Sequence, residues 1–189
     1  MNRIPVLSSA LLLASALAAP ASADEVHARL AGLHEVPTVS TGAGGTFRAF
    51  ISPSGDAINY EITYTGMQGT VTQSHMHVGQ SRTNGGIVLW VCGNGAATPP
   101  TPGPAGTPTC TSPDGHFQGT WRPENVQTVA TQQFAPGELD EVIAAIRAGA
   151  AYVNVHSTLS PGGEIRGQIR ASRREHDRGH DHDRDRDRD

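Results

Sequence analysis

Lysine is absent from the 189-residue sequence. Its 14 basic residues are all arginines, and 18 acidic residues give a formal net charge of −4. Proteins that bind nucleic acid or anionic membranes through charge usually carry a basic surface. The composition does not supply such a surface, so we expect no nucleic-acid partner.

Long apolar runs are also scarce. After an apolar segment at residues 6–19, no stretch approaches the roughly 20 apolar residues of a membrane-spanning helix. We therefore expect no membrane span in the mature protein. The sequence also lacks a G-x-S-x-G elbow, a Walker loop, a glycine-rich dinucleotide signature and paired catalytic carboxylates. Hydrolase and nucleotide-binding functions are not expected.

Both ends of the chain differ from its middle. Arg3, the apolar residues 6–19 and the small residues 21–23 are typical of a secretory signal peptide, with cleavage before Asp24. Residues 171–189 contain no apolar side chain after Ala171, so this tail cannot bury enough surface to fold. The sequence predicts a signal peptide at 1–23, one domain at 24–170 and a disordered tail at 171–189. A secreted or periplasmic location follows.

The chain has two cysteines, Cys92 and Cys110, separated by a segment rich in proline, glycine and threonine. In an exported protein an isolated pair of this kind indicates a disulfide. A free reactive thiol and a metal thiolate are the alternatives. The predicted disulfide would hold the intervening loop against the domain.

Short runs with period-two alternation of apolar and polar residues dominate the middle of the chain. They occur at residues 26–33, 46–52, 57–64, 85–92 and 116–121. A single helix is predicted after residues 136–137, because four apolar residues recur at helical spacing from Leu139 to Ile146 before Gly149. This order predicts an all-β, antiparallel sandwich or barrel with one short helix inserted before the last hairpin.

The last hairpin shows which residues share a face. Its apolar positions alternate with polar ones, and they are Val153, Val155, Ile165 and Ile169. Directly opposed residues share a face, so these four join one core only if the connection has an odd number of residues, three or five. His156 then lies on the polar face near Arg166 and either Glu164 or Gln168. A connection with an even number of residues would bury the charged side chains of Glu164 and Arg166 without partners.

The stretch SHMHVG at residues 74–79 raises the possibility of a metal site. If Met76 and Val78 face the core, His75 and His77 lie side by side on the outward, polar face, with Cβ atoms about 6.5 to 7 Å apart. Two imidazoles at this spacing suit Zn or Cu. If His156 lies nearby, three rings could share one ion and leave a fourth position open. Two ordinary polar positions on a strand remain the alternative.

Three segments resemble the CHRD domain, a module of extracellular and exported proteins. They are residues 30–45, with an E-V-P motif at 35–37, residues 74–92, with H-x-H-x-G at 75–79, and residues 146–169, with Y-V-N-x-H at 152–156 and G-E-I-R-G at 163–167. The sequence departs from the family pattern at Ser157, where threonine is usual, and in the long insertion between the cysteines. The resemblance implies an immunoglobulin-like β-barrel with faint similarity to copper/zinc superoxide dismutases. That similarity favours Cu or Zn bound at His75, His77 and His156.

Several functions are compatible with these residues. The histidines could form a hydrogen-bonded cluster with Asn154, Glu164 and Arg166 that maintains strand register without a ligand. The domain could bind an unknown extracytoplasmic partner, or it could be a dismutase-like copper enzyme. The sequence leaves catalytic activity undecided.

The remaining polar candidates carry less weight. Tyr152 and Asn154 are expected to orient His156, His116 to lie on a strand surface, and the pair His34 and Glu35 to form a turn. The tail histidines could bind metal loosely or belong to a solvated spacer, and they are His176, His180 and His182.

Overall fold

The computed structural model describes residues 24–94 and 103–172. This part of the chain contains β1 (Asp24–Ala31), β2 (Gly44–Ile51), β3 (Ile58–Thr65), β4 (Val71–Val78), β5 (Gly86–Gly93), β6 (Gly115–Trp121), α1 (Leu139–Arg147), β7 (Ala151–Ser157), β8 (Ile165–Gln168) and β9 (Arg170–Ala171). The predicted signal peptide and the tail histidines lie outside the described residues. Within the described ranges, no helix is both long enough and apolar enough to cross a membrane.

The strands form one antiparallel sheet that is nearly closed into a barrel. Their order is β5-β4-β7-β8-β1-β2-β3-β6, and β9 also pairs with β1. The two end strands approach each other where the Trp121 indole N–H donates to the Trp90 carbonyl at 2.8 Å. The Gln127 amide, which follows β6, donates to the Val88 carbonyl of β5 at 2.9 Å. The predicted all-β antiparallel architecture is confirmed.

Alternation along the strands fills the barrel interior. In β2, Phe47, Ala49 and Ile51 are buried while the residues between them are exposed. The predicted helix is present as α1, and its buried residues have the expected helical spacing: Leu139, Val142, Ile143 and Ile146. Gly149 ends it with φ of 68°, a left-handed conformation that glycine adopts without strain.

The register of β7 and β8 is the predicted one. Val155 lies opposite Ile165 and Asn154 opposite Arg166, so apolar side chains share the core face and polar ones the other face. The connection between the strands, residues 158–164, is longer than expected but also contains an odd number of residues. Its extra length allows it to fold over His156, whose ring contacts the Pro161 carbonyl.

The disulfide between Cys92 and Cys110 is formed, as predicted. It joins the end of β5 to the segment that precedes β6. Asn94 adds to this connection, because its side-chain oxygen accepts a hydrogen bond from the Cys110 amide at 2.8 Å. Both cysteines are buried in the core.

Candidate metal centre

Two adjacent strands bring the three histidines together. His75 and His77 lie on β4 and His156 on β7, and the register pairs His75 with Asn154 and His77 with Tyr152. All three point away from the core face that carries residues such as Met76. One nitrogen from each ring can be chosen so that all three lie within 4.8 Å of one another. The pairing of β4 with β7, which the sequence left open, therefore produces a compact cluster.

The predicted exposure of this face was wrong. His75 is 0 % exposed, His77 7 % and His156 6 %. The face is polar, but other segments cover it. The Trp90 ring of β5 lies edge-on to His75 with 5.0 Å between ring centroids. The loop that contains Gly85 and the connection 158–164 contact the other two rings.

Two irregularities in β5 bring Trp90 to this position. The β4–β5 pairing shifts register between Ser74 and His75 and again between Met76 and His77. Such bulges insert one extra residue and change the direction of nearby side chains. As a result, Trp90 lies opposite His75 and covers the cluster from the side of β5.

Backbone carbonyls determine the tautomers of two rings. The Nδ1–H of His77 donates to the Gly85 carbonyl at 2.8 Å, and the Nδ1–H of His156 donates to the Pro161 carbonyl at 2.9 Å. Both rings therefore keep an Nε2 lone pair. Within the described residues, His156 Nε2 and both ring nitrogens of His75 are buried without a hydrogen-bond partner. Metal-binding histidines commonly use one nitrogen for the metal and the other for a carbonyl of this kind.

Tyr152 and Asn154 were expected to orient His156, but their contacts are with His77. The contact between His77 and Asn154 is unusual. His77 Nε2 lies 3.1 Å from Asn154 Oδ1. Because the Nδ1 proton of His77 is donated to Gly85, a neutral ring presents a lone pair to an oxygen that also carries lone pairs. Only a cation shared by the two atoms, a second proton on the ring or a reversed Asn154 amide makes this contact favourable.

Burial keeps the three rings neutral. Desolvation lowers the pKa of His77 and of His156 from 6.5 to about 4. Desolvation, together with the neighbouring His156 and His77, lowers the pKa of His75 well below 6.5. Near neutral pH the imidazoles are unprotonated, which is the form that binds a metal.

The chain matches the CHRD domain family over residues 26–169, a span that includes the three histidines and nearly the whole described barrel. The chain belongs to the CHRD family. No curated protein and no solved structure matches this sequence. The histidine cluster therefore lies on two of the segments by which this CHRD domain resembles its family.

Arg166 supports the cluster of this CHRD domain from a distance. The Tyr152 ring stacks on His77 with 4.6 Å between centroids, and the Arg166 guanidinium lies 3.4 Å from the Tyr152 centroid. The guanidinium also donates to the carbonyls of Thr83 at 2.8 Å and Gln80 at 3.2 Å. Arg166 thereby ties the covering loop to the ring stack on which His77 rests.

The Glu164 carboxylate bonds to residues outside the histidine cluster. Its carboxylate accepts hydrogen bonds from Thr41 Oγ1 at 2.9 Å, from the Gln68 amide at 2.8 Å and from the Ser157 hydroxyl. Burial raises the pKa of Glu164, but these donors outweigh burial and the net pKa is lowered. Of the three predicted neighbours, Asn154 contacts His77 directly, and Arg166 contacts it through Tyr152. Glu164 belongs to a separate hydrogen-bond network.

The burial of Glu35 next to the site was not predicted from the sequence. The residue lies in a turn, as predicted, directly after the short 3-10 helix Gly32–His34, but it is also buried against Gly163 and near Asn154. Desolvation raises its pKa from 4.5 to about 7, although the Arg166 charge opposes this. The only available signal was its place in the E-V-P motif. His116, in contrast, lies on the surface as expected, 2.8 Å from Glu61.

Proposed function

We propose that this protein is an exported CHRD-domain protein that binds one transition-metal ion, Cu or Zn, through His75, His77 and His156. The observation that carries the proposal is the set of buried imidazole nitrogens with no hydrogen-bond partner in the described structure. Leaving a buried polar atom unsatisfied costs about 1 to 3 kcal/mol. A metal ion would satisfy one nitrogen on each ring.

The spacing of the nitrogens supports a shared ion. Tetrahedral coordination with bonds near 2.0 Å requires ligand atoms about 3.3 Å apart. The three nitrogens lie within 4.8 Å of one another. Side-chain movements of about one ångström would therefore complete the coordination. The carbonyl contacts at His77 and His156 already orient two of the rings.

Asn154 is the best candidate for a fourth ligand. Its Oδ1 lies 3.1 Å from His77 Nε2, close to the separation of two atoms bound to one ion. A cation between them would also remove the repulsion between their lone pairs. In the metal-free alternative the Asn154 amide is reversed and donates to His77, so the cluster only maintains strand register.

The donor set favours Cu or Zn over Mg or Ca. Imidazole nitrogens suit Cu and Zn, whereas Mg and Ca prefer oxygen ligands. Cysteine thiolates are not available, because Cys92 and Cys110 form a disulfide. That disulfide also supports export, since such bonds persist mainly in oxidising compartments.

Metal analysis of the untagged, exported chain tests the proposal. After incubation with Cu²⁺ or Zn²⁺ and desalting, we expect about one equivalent of metal per chain. The double variant His75→Ala, His77→Ala should retain none. The matched control His34→Ala, His116→Ala removes two histidines outside the cluster and should bind metal as the parent does.

A second control separates the cluster from the tail. The triple variant His176→Ala, His180→Ala, His182→Ala should keep the metal. Loss of metal in this variant, with retention in His75→Ala, His77→Ala, would move the binding to the tail. If the parent protein takes up neither metal, the proposal fails. The histidines then serve only to maintain strand register through hydrogen bonds.

A further inference from the structure

A second site lies on the outer face of β1, β8 and β9. A cavity of about 670 Å³ opens there, and the segment 33–38 and the loop residues 81–82 form its other walls. Ligand-binding cavities commonly have volumes of about 300 to 1,000 Å³. None of the three histidines of the proposed metal centre lines this cavity.

Arginine dominates the lining. Arg29, Arg82, Arg166 and Arg170 all line the cavity, and Glu35 is the only acidic residue among the described residues that line it. This excess of positive charge occurs in a chain whose formal net charge is −4. Four of the seven arginines in the described residues therefore lie at this one cavity.

The strand register explains how the arginines come together. His27 lies opposite Arg170, and Ala31 lies opposite Arg166, so Arg29 occupies the outward position between them on β1. Arg29 is therefore a diagonal neighbour of both Arg166 and Arg170 on the same outward face of the sheet.

No carboxylate of residues 24–94 and 103–172 forms an ion pair with a cavity arginine. Within the described ranges, the ion pairs join Arg48 to Glu25, His116 to Glu61 and Arg147 to Asp24, and none includes a cavity arginine. The buried Arg166 guanidinium donates to neutral oxygens only. Arg29, Arg82 and Arg170 are exposed, so their charges remain available to a ligand. Arg166, in contrast, is buried against Tyr152 and adds only its charge to the cavity wall.

Two further features are typical of a binding site. Arg82 has φ of 67°, in the left-handed region that non-glycine residues rarely adopt and that clusters at functional sites. Leu33 is 76 % exposed at the cavity, beside Val36 and Pro37. The cavity is thus lined by arginines on one side and by apolar residues of the segment 33–38 on another.

We propose that this cavity binds a small organic polyanion, a compact carbon skeleton with two or more carboxylate or phosphate groups. Guanidinium groups form paired hydrogen bonds with carboxylate and phosphate oxygens, so several arginines around one cavity select such groups. The apolar wall contacts the carbon skeleton. The site is separate from the metal centre, and its occupancy does not require the metal.

Titration calorimetry on the full chain tests this site. The protein is first stripped of metal, and the chelator is removed by dialysis because it is itself a polyanion. Citrate represents the carboxylates, fructose 1,6-bisphosphate the phosphates and sucrose an uncharged molecule of similar size. We expect at least one of the two anions to bind, sucrose not to bind, and affinity to fall as salt is added. Absence of binding by both anions would overturn the proposal.

Charge-matched variants locate the binding. Arg29→Gln, Arg170→Gln removes two cavity charges, whereas Arg122→Gln, Arg147→Gln removes two charges elsewhere. We expect the first pair to weaken binding by about tenfold or more, and the second to change it by less than about twofold. Equal weakening in both would indicate bulk electrostatics and refute a built site.

The histidine variant separates the two proposals. The variant His75→Ala, His156→Ala leaves the stack of His77, Tyr152 and Arg166 in place and should bind the anion as the parent does, even though it lacks two of the three proposed metal ligands. If it loses anion binding while remaining folded by circular dichroism, the anion occupies the histidine cluster and the cavity proposal fails. If the parent binds the anion but takes up no metal, only the metal proposal fails.

Discussion

Glu35 and Gly163 pack against each other beside Asn154, although 127 residues separate them in the chain. A Cβ atom on residue 163 would collide with the Glu35 carboxylate. Gly163 also has φ of 125°, a conformation that residues with side chains rarely adopt. The glycine of the G-E-I-R-G motif is therefore required both by its backbone and by its close approach to Glu35.

We expect Gly163→Ala to destabilise the protein by about 2 to 4 kcal/mol, because the strained backbone and the collision with Glu35 act together. Urea unfolding followed by tryptophan fluorescence measures the change. Gly162→Ala is the matched control, since nothing lies near a Cβ atom at that position and its φ is not in the left-handed range. Equal stability of the two variants would contradict this account.

Glu35 should make stability depend on pH. Its pKa is raised from 4.5 to about 7 in the folded state, so folding favours the protonated form. The stability that Glu35 contributes is present below pH 4.5 and is lost as the pH rises through about 7. Relative to Glu35→Gln, the parent should therefore lose stability over this range, as measured by urea unfolding of metal-free protein. A constant difference between the two proteins would show that folding does not change the pKa of Glu35.

At the scale of elements, period-two alternation predicted most strands and the shared face of Val155 and Ile165. This succeeded because side-chain direction in a strand depends only on local backbone geometry. The length of the connection 158–164 could not be predicted in the same way. It is set by the contact between Pro161 and His156, which lies on the polar face that the connection covers.

The disulfide should stabilise the end of β5. Replacing both Cys92 and Cys110 with serine should lower the free energy of unfolding by about 3 kcal/mol, the value expected for closing a loop of this size. Urea unfolding measures the loss. As a control, the reduced parent protein should show a similar loss. A double variant as stable as the oxidised parent would show that Asn94 and its neighbours are sufficient to hold the loop.

At the scale of the whole molecule, the buried histidines should make the metal-free barrel sensitive to acid. The folded-state pKa values of His77 and His156 are about 4, below the ordinary value of 6.5, so the unfolded chain binds more protons between these limits. Their contribution to stability is complete above pH 6.5 and is lost as the pH falls towards about 4.

This prediction is best measured in the Glu35→Gln background, because Glu35 has the opposite pH dependence over part of this range. Urea midpoints should fall as the pH is lowered from about 6.5 to about 4. The control variant His116→Ala, which removes an exposed ring, should show the same fall. Replacing His156 with glutamine should reduce it, and an unchanged slope would contradict the assignment to the buried rings.

The sequence by itself determined the strand faces, the helix and the disulfide pair, because each depends on local periodicity or on residue type, and it offered His75, His77 and His156 only as candidates. The tertiary structure decided that the histidine face is buried, since Trp90, Gly85 and Pro161 cover it from distant parts of the chain. It also decided that Glu35 lies beside Asn154 and that four arginines line one cavity. Contacts of this kind arise from how separate segments pack in three dimensions, and no local pattern encodes them.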